Sequence, residues 1–118
     1  MKLGDKDGIG EQAQLQHPLS LLALDQEWLL ISDTYNHKLK YVHIPSKEIV
    51  TLYGQGQGFK DGDKKTAQFA EPAGLHKHED SIFIADTNNC AIRKLHFEKG
   101  IITTLQLKNV PVVDQCSV

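Results

Sequence analysis

One four-residue pattern occurs twice in the chain, and its aspartates are the first candidates for chemistry. It reads Asp33-Thr34-Tyr35-Asn36 in one place and Asp86-Thr87-Asn88-Asn89 in the other. Two carboxylates act as a general acid and a general base only when the fold brings them to one substrate. Because Asp33 and Asp86 hold equivalent positions in two similar stretches, the packing of those stretches sets their separation. We therefore predict no catalytic residue here.

A structural role explains the pattern better. A short carboxylate at the end of a buried strand accepts hydrogen bonds from the backbone N–H groups of the next turn, and a threonine hydroxyl forms similar local bonds. Asparagine tolerates a left-handed backbone, so Asn36 and Asn89 fit the end of such a turn. We expect each copy of the pattern to be a tight connection between two strands.

Six histidines raise the question of a metal site. His76 and His78 are two residues apart, so in an extended segment they point the same way. Two ligands do not complete a zinc or copper site, and no spacing indicates a third. His43 and His96 hold equivalent positions in the two stretches, which favours a place in the scaffold or on the surface. We predict no metal site.

A Gly-rich run at residues 54–58 resembles a phosphate-binding loop only in composition. Such a loop needs a Lys and a Ser or Thr at fixed positions before a helix, whereas Phe59-Lys60-Asp61-Gly62 follows here. We interpret the run as a linker and predict no cofactor. The two cysteines, Cys90 and Cys116, lack the spacing of a redox pair or a zinc site. In a chain without a signal peptide, we expect them to be free thiols.

Composition and charge exclude several classes of protein. The formal net charge is −2, which gives no global reason to bind nucleic acid or an anionic membrane. No signal peptide and no membrane-spanning apolar run is visible, so we predict a cytoplasmic protein without a membrane partner. The basic residues near the repeated turns fit a solvated face; they are Lys38, Lys40, Lys47, Arg93 and Lys94.

An internal repeat organises the elements that position these residues. Residues 13–21 match residues 67–75 with an offset of 54, and Asp7-Gly8 matches Asp61-Gly62 in the same way. From Asp33 onwards the offset is 53, because one residue is lost in a turn. A repeat of this length indicates one supersecondary unit that occurs twice.

Each unit contains four short runs with the composition of β-strands. In the first unit the runs are 19–24, 28–32, 39–44 and 49–53, and in the second they are 73–76, 82–85, 92–97 and 101–105. The second run of each unit, Trp28-Leu29-Leu30-Ile31 and Ile82-Phe83-Ile84-Ala85, is continuously apolar. This pattern predicts a strand covered on both faces, as in a propeller blade packed between two others.

The repeated motifs resemble the NHL repeat. They are Asp-Gly, Ala-x-Phe/Leu-x-x-Pro-x-x-Leu, Asp-Thr-x-Asn, Ile/Leu-Arg/Lys and Val/Ile-x-Thr-Leu, with a Gly-rich connector at 54–59, and together they cover residues 5–105. The resemblance implies an all-β fold, an NHL-type β-propeller represented by two four-stranded antiparallel blades of an incomplete propeller. We assign 1–12 to an N-terminal connector, 13–53 to blade 1, 54–66 to an inter-blade linker, 67–107 to blade 2 and 108–118 to a non-repeat tail.

The resemblance implies binding rather than catalysis. We expect a non-enzymatic protein-interaction or scaffold module, a fragment of a propeller. The alternatives are an RNA-binding propeller face, which the charge favours least, and the accessory propeller of a thioredoxin-like redox protein, which the connector resembles most. Candidate binding residues lie in and beside the repeated turns: Tyr35, His37, Lys38, Asn88, Cys90 and Arg93.

Two blades leave their outer faces uncovered, which bears on the partners. Propellers close a ring of four to eight blades to protect their sheets. The expected partners are therefore a protein or peptide, the missing blades of a parent propeller, or further copies of this chain through self-association.

Overall fold

The computed structural model describes residues 3–106, which form two antiparallel sheets and three short 3-10 turns. The first sheet contains β1 (Gly8–Ile9), β2 (Pro18–Ala23), β3 (Trp28–Asp33), β4 (Lys38–His43) and β5 (Glu48–Tyr53), in the spatial order β1-β5-β4-β3-β2. The second sheet contains β6 (Pro72–His78), β7 (Ser81–Asp86), β8 (Ala91–His96) and β9 (Ile101–Thr104), in sequential order. The 3-10 turns are Gly10–Gln12, Thr34–Asn36 and Thr87–Asn89. The predicted all-β fold with two antiparallel blades is confirmed, in an open arrangement.

Among the strands of residues 3–106, β1 is the one that the sequence does not predict. It pairs with the outer strand of blade 1, Gly8 opposite Ile49 and Ile9 opposite Glu48. In the second unit, Gly62 forms the equivalent bridge to Ile102 on β9. Strand β1 has no pattern of its own because two residues are too few to show one, and its conformation depends on a partner forty residues away in the chain. Both connectors thus return to the outer edge of their own blade.

The main core lies between the two blades. Blade 1 contributes Leu30 and Leu39 to it, and blade 2 contributes Ile82, Ile84 and Leu95. All five side chains are buried. Since successive residues of a strand point to opposite faces, each blade presents one alternate set of side chains to the other.

The prediction that each second strand is covered on both faces holds for β3 and fails for β7. In β3, the neighbours Leu30 and Ile31 point to opposite faces and are both buried. In β7, Ile84 is buried, but Phe83 is only half-buried and Ala85 is exposed. Within residues 3–106 no further blade covers this face of β7 or the face of β3 that carries Ile31, so the burial of Ile31 does not come from a neighbouring blade. No helix in this part of the chain is long and apolar enough to cross a membrane.

Candidate functional site

Asp86, the aspartate of the second repeated pattern, lies in a buried polar network. Its Oδ1 accepts a hydrogen bond from the backbone N–H of Ala70 at 2.9 Å. Its Oδ2 accepts from Asn89 Nδ2 and from Arg93 Nη1, both at 2.7 Å. Asp86 and Arg93 are both fully buried. The carboxylate therefore ties the turn after β7 to the segment before β6 and neutralises a buried guanidinium.

Asp33 forms the equivalent network in blade 1. It accepts from the backbone N–H of Gln16 at 2.7 Å and from Asn36 Nδ2 at 2.8 Å, and Lys40 Nζ lies 3.1 Å from its Oδ2. The expected structural role of the two aspartates agrees with these contacts. The expected donor does not, because the backbone N–H groups belong to the segment before the first strand of each blade and not to the next turn.

The left-handed residues are also not the expected ones. His37 and Cys90, each at the end of a 3-10 turn, have φ values of 59° and 49°. Asn36 and Asn89 precede them and use their side-chain amides instead, donating to the backbone oxygens of Gly4 and Gly58. The side chains of the asparagines thus join the turns to the connectors.

Arg93 is held by blade 2 and its connector. Its two terminal nitrogens also donate to the backbone oxygens of Gln68 and Lys60, at 2.8 and 2.6 Å, and to Asp61 at 3.0 Å. The guanidinium lies over two aromatic rings, 4.9 Å from the centroid of Phe59 and 5.1 Å from that of Phe69. Arginine suits this place because it is planar, stacks on rings and donates to several acceptors at once.

Lys40, at the equivalent place in blade 1, has a different surrounding. Its Nζ lies 2.8 Å from Asp5 Oδ1, and Asp5 and Leu15 occupy the positions that Phe59 and Phe69 hold in the second unit. Burial alone would lower the pKa of Lys40, but its hydrogen bonds with Asp5 and Asp33 raise it above the usual value. The compact ammonium thus has an additional carboxylate where the guanidinium has rings.

These two cations correct the interpretation of the basic residues. Lys40 and Arg93 were expected on a solvated face, and Arg93 was a candidate binding residue. Both are fully buried and paired within the chain, so neither lies on a solvated face. The sequence did contain a signal for a buried ion pair: in both copies, a basic residue follows the aspartate by seven positions.

The other predicted binding residues lie on the side of the blades that carries the repeated turns. Tyr35 is exposed and its ring lies 4.6 Å from that of His17. His37 Nδ1 accepts from the backbone N–H of Glu71 at 3.0 Å, and the carboxylate of Glu71 accepts from Asn88. Glu71 thus links His37 of blade 1 with Asn88 of blade 2, whereas Tyr35 contacts His17 within the first unit. Lys38, also predicted, pairs with Asp5.

Cys90 departs from its predicted state. It is disulfide-bonded, so the expectation of a free thiol is wrong for this residue. Pairing depends on whether the fold brings two Cα atoms within about 4.4–6.8 Å, which neither spacing nor cellular compartment reveals. Cys116 and the tail at 108–118 lie outside the described residues.

A groove between the blades opens at the opposite ends of the strands. It has a volume of about 410 Å³. Its aromatic residues are Trp28 and Tyr41 of blade 1, with ring centroids 5.6 Å apart, and Phe97 of blade 2, 6.4 Å from Tyr41. The remaining lining residues are Leu24, Asp25, Lys77, Glu79, Asp80, Ile82 and Glu98. The groove exists only because the two blades pack side by side.

The polar rim of this groove, which we call the acidic groove, is dominated by carboxylates. Four carboxylates line the groove together with one ammonium group, that of Lys77. Asp25 also shapes the groove, since its carboxylate accepts from the backbone N–H groups of Glu27 and Trp28 at 2.8 and 2.9 Å. Burial raises the pKa of Tyr41 above its usual value, and the nearby carboxylate of Asp25 acts in the same direction, so the Tyr41 hydroxyl is protonated at neutral pH.

A smaller cavity of about 230 Å³ adjoins the acidic groove and shares Tyr41, Phe97 and Glu98 with it. Its lining also includes Lys64 and Lys99. Neither cavity leaves a signal in the sequence, because the lining residues come from strands and turns of two blades that are distant in the chain. Among the described residues, no group of three or more His, Cys, Asp or Glu is arranged to hold a metal ion.

Comparison with curated proteins shows close relatives over nearly the whole chain. Protein SUPPRESSOR OF QUENCHING 1, chloroplastic, of Arabidopsis thaliana is 47% identical over 114 residues, which cover 92% of this chain and 11% of that protein. NHL repeat-containing protein 2 is 38% identical in Gallus gallus, over 94% of this chain and 16% of the relative. The human protein of that name is 36% identical, over 88% and 15%. This chain thus spans between a tenth and a sixth of their lengths.

Solved structures show the same fold. A putative phosphatase of Bacteroides thetaiotaomicron matches with a TM-score of 0.72 and 19% identity, over 91% of this chain and 26% of that one. An auxiliary nutrient binding protein of the same organism matches with a TM-score of 0.72 and 24% identity, over 89% and 27%. At these identities the likeness concerns the fold alone. No family model matches the sequence. On its duplicated motifs, its two blades and its relatives, the chain is homologous to part of NHL repeat-containing protein 2 and has the fold of NHL-type β-propeller blades.

Proposed function

We propose that this chain is a non-enzymatic protein-binding module of an NHL propeller and that the acidic groove is its contact site. The observation that carries the proposal is a groove of about 410 Å³ with aromatic side chains from both blades. Concave sites with an apolar floor and a few polar groups are the usual form of a binding site. Aromatic residues supply much of the binding energy at such sites.

The polar groups of the groove favour binding over catalysis. Asp25 is engaged with two backbone N–H groups of its own turn. Glu79, Asp80 and Glu98 are exposed, and exposed carboxylates lack the environment that tunes a general acid or base. The fold itself does not decide the matter, because one architecture carries many activities.

Trp28 offers a direct test, because it is the only tryptophan of the chain and lines the groove. A library of short peptides is titrated into the full chain while tryptophan fluorescence is recorded. We expect some peptides to change the emission of Trp28 and to lose this effect in Tyr41→Ala. Lys6→Ala, an exposed change outside the groove, serves as the control. The proposal fails if no peptide binds up to about millimolar concentration while circular dichroism shows a folded β-sheet protein.

The uncovered face of blade 1 indicates a second kind of partner. Leu19 and Leu21 on this face are each 64% exposed. In blade 2, Leu75 is equivalent to Leu21, and it packs on the core that blade 1 covers. We propose by this internal comparison that another propeller blade covers the free face of blade 1.

The free face of blade 2 is different and argues against a ring of identical copies. His76, His78 and Lys94 stand there. Blade 1 has Leu22, Leu24 and Tyr41 at the equivalent positions, where they pack on the core between the blades. In a head-to-tail ring, the two histidines and the lysine would be buried against leucines, which is unfavourable for polar groups without partners. We therefore place the covering blade in a longer parent protein.

The two alternative functions, RNA binding and an accessory role beside a thioredoxin-like domain, stay predictions. The cytoplasmic location also stays a prediction, since one relative is named as chloroplastic.

A further inference from the structure

We propose that the acidic groove recognises a positively charged side chain, arginine or lysine, of its protein partner. This inference rests on the proposed binding function and adds the chemistry of the ligand. It depends on two features of the groove, its aromatic rings and its carboxylates, which meet at the same place between the blades.

The charge of the groove selects the sign of the ligand. Asp25, Glu79, Asp80 and Glu98 contribute four negative charges, and Lys77 contributes one positive charge. The whole chain has a net charge of only −2, so the excess at the groove is local. Matching charges steer association and reject partners of the wrong sign. An anionic segment or an RNA backbone is therefore disfavoured here.

The rings select a cation over other groups that could sit beside carboxylates. Trp28, Tyr41 and Phe97 form a row with centroid separations of 5.6 and 6.4 Å. A guanidinium or ammonium group within about 6 Å of an aromatic centroid is attracted to the ring face. The methylene stem of arginine or lysine contacts apolar surface while its charged end remains near polar groups, which fits an apolar floor with a carboxylate rim.

The chain itself uses this chemistry elsewhere. Arg93 lies over the rings of Phe59 and Phe69 while its nitrogens contact the carboxylates of Asp61 and Asp86. That site is filled from within the chain. The acidic groove presents a similar combination of rings and carboxylates without a cation of the chain over its rings among the ring contacts of residues 3–106.

The adjoining cavity makes the two ends of the binding surface differ in charge. Lys64 and Lys99 line that cavity, beyond Tyr41 and Phe97. An extended ligand that places its cation at the carboxylates would therefore have a neutral or acidic side chain towards the lysines. The order of charges along the ligand is thus part of the recognition.

The test compares peptides that differ in one group. Short acetylated peptides of otherwise identical sequence carry arginine, lysine or citrulline at the centre; citrulline has the shape of arginine without its charge. Binding to the full chain is followed by the fluorescence of Trp28 at low and high salt. We expect the arginine peptide to bind at least tenfold more tightly than the citrulline peptide, a difference of about 1.4 kcal/mol. Added salt should weaken the arginine peptide more, because these charges are exposed.

Variants locate the effect at the groove. Glu79→Gln with Glu98→Gln changes two exposed side chains and keeps their size, so folding is preserved. We expect this double variant to lose most of the preference for arginine over citrulline. Glu11→Gln, an equally exposed change in the N-terminal connector, should keep the preference in full.

The outcomes separate this inference from the proposed function. If the arginine and citrulline peptides bind equally and both affect Trp28, charge recognition is wrong and the binding module stands. If the double variant keeps the preference, the cation is bound elsewhere and the inference is overturned. If a single-stranded RNA affects Trp28 more strongly than the arginine peptide, the ligand class is wrong. If no peptide affects Trp28 in the folded chain, both proposals fail.

Discussion

Arg93 Nη1 donates a hydrogen bond of 2.7 Å to Asp86 Oδ2, and both side chains are fully buried. Their equivalents in blade 1, Lys40 and Asp33, are also fully buried, with 3.1 Å between Nζ and Oδ2. Each blade therefore contains one buried ion pair between the end of its second strand and the middle of its third. The pair fixes the connector and the turn on the blade that carries them.

Breaking the pair in blade 2 should be strongly destabilising. Asp86→Ala leaves the guanidinium of Arg93 buried with one carboxylate fewer, and loss of one partner of a buried pair costs about 3–5 kcal/mol. Asp86→Ala with Arg93→Met removes both charges and should cost less than Asp86→Ala alone. Urea unfolding followed by circular dichroism measures both. A double variant that is as unstable as the sum of the two single variants would contradict this account.

Lysine should not replace arginine at position 93. The guanidinium reaches Gln68 O, Lys60 O and two carboxylates and lies over two rings. An ammonium group cannot serve all of these acceptors, so we expect Arg93→Lys to lower the free energy of unfolding by about 1–3 kcal/mol. Adding Phe59→Asp, which reproduces the aspartate that stands beside Lys40, should recover part of the loss. If the double variant recovers no stability, an aspartate at position 59 does not provide lysine with the environment that Asp5 provides for Lys40.

The hydroxyl of Thr34 forms a hydrogen bond between the blades, and Thr87, at the equivalent position of blade 2, provides a matched comparison. Thr34 Oγ1 donates to Pro72 O of the other blade at 2.8 Å, and Thr34 is buried. Thr87, its equivalent, is exposed and reaches only Ala85 O of its own blade at 3.5 Å. Thr34→Val should cost about 1 kcal/mol or more of unfolding free energy, and Thr87→Val much less. Equal costs would mean that the inter-blade bond has no net effect.

Acid should weaken the connector of blade 1. Burial alone would raise the pKa of Asp5, but hydrogen bonds and charges of Lys38 and Lys40 hold it below 3.8. A carboxyl group whose pKa is lower in the folded protein stabilises the fold above its unfolded pKa, and this stabilisation is lost as pH falls through the folded value. Asp5→Asn should therefore be less stable than the natural chain at neutral pH. The two stabilities should converge below pH 3.8, as measured by urea unfolding; parallel curves would contradict this.

The free face of blade 2 should limit self-association. A variant with His76→Leu, His78→Leu and Lys94→Tyr restores the apolar side chains that blade 1 has at these positions. We expect this variant to form larger oligomers than the natural chain in sedimentation velocity. Adding Leu21→Asp on the opposite free face should reverse the effect, because head-to-tail contact uses both faces. Oligomers that persist with Leu21→Asp would show that the contact does not use the free face of blade 1. A natural chain that already forms a closed ring would show that the free face of blade 2 does not limit self-association.

Most of the blade architecture could be predicted from the sequence. The eight predicted runs all contain strands, because apolar β-branched and aromatic residues between turn residues specify short strands locally. Strand β1 and the bridge at Gly62 could not be predicted, since a pairing of one or two residues leaves no periodic signal. The state of Cys90 was also outside the reach of sequence, because a disulfide depends on three-dimensional proximity.

The residues of the candidate sites also fall into those that the sequence predicts and those that only the tertiary structure reveals. The duplicated motif placed Tyr35, His37 and Asn88 near the turns. The sequence by itself also determined that two similar β-units follow one another. It determined as well that Asp33 and Asp86 hold equivalent structural positions. Only the tertiary structure decided that Lys40 and Arg93 are buried, since a basic residue in a strand is read as exposed until its partners are known. It also decided that Trp28, Tyr41 and Phe97 share one groove. The groove is a product of packing between two blades, and local sequence patterns carry no information about which side chains of distant strands meet.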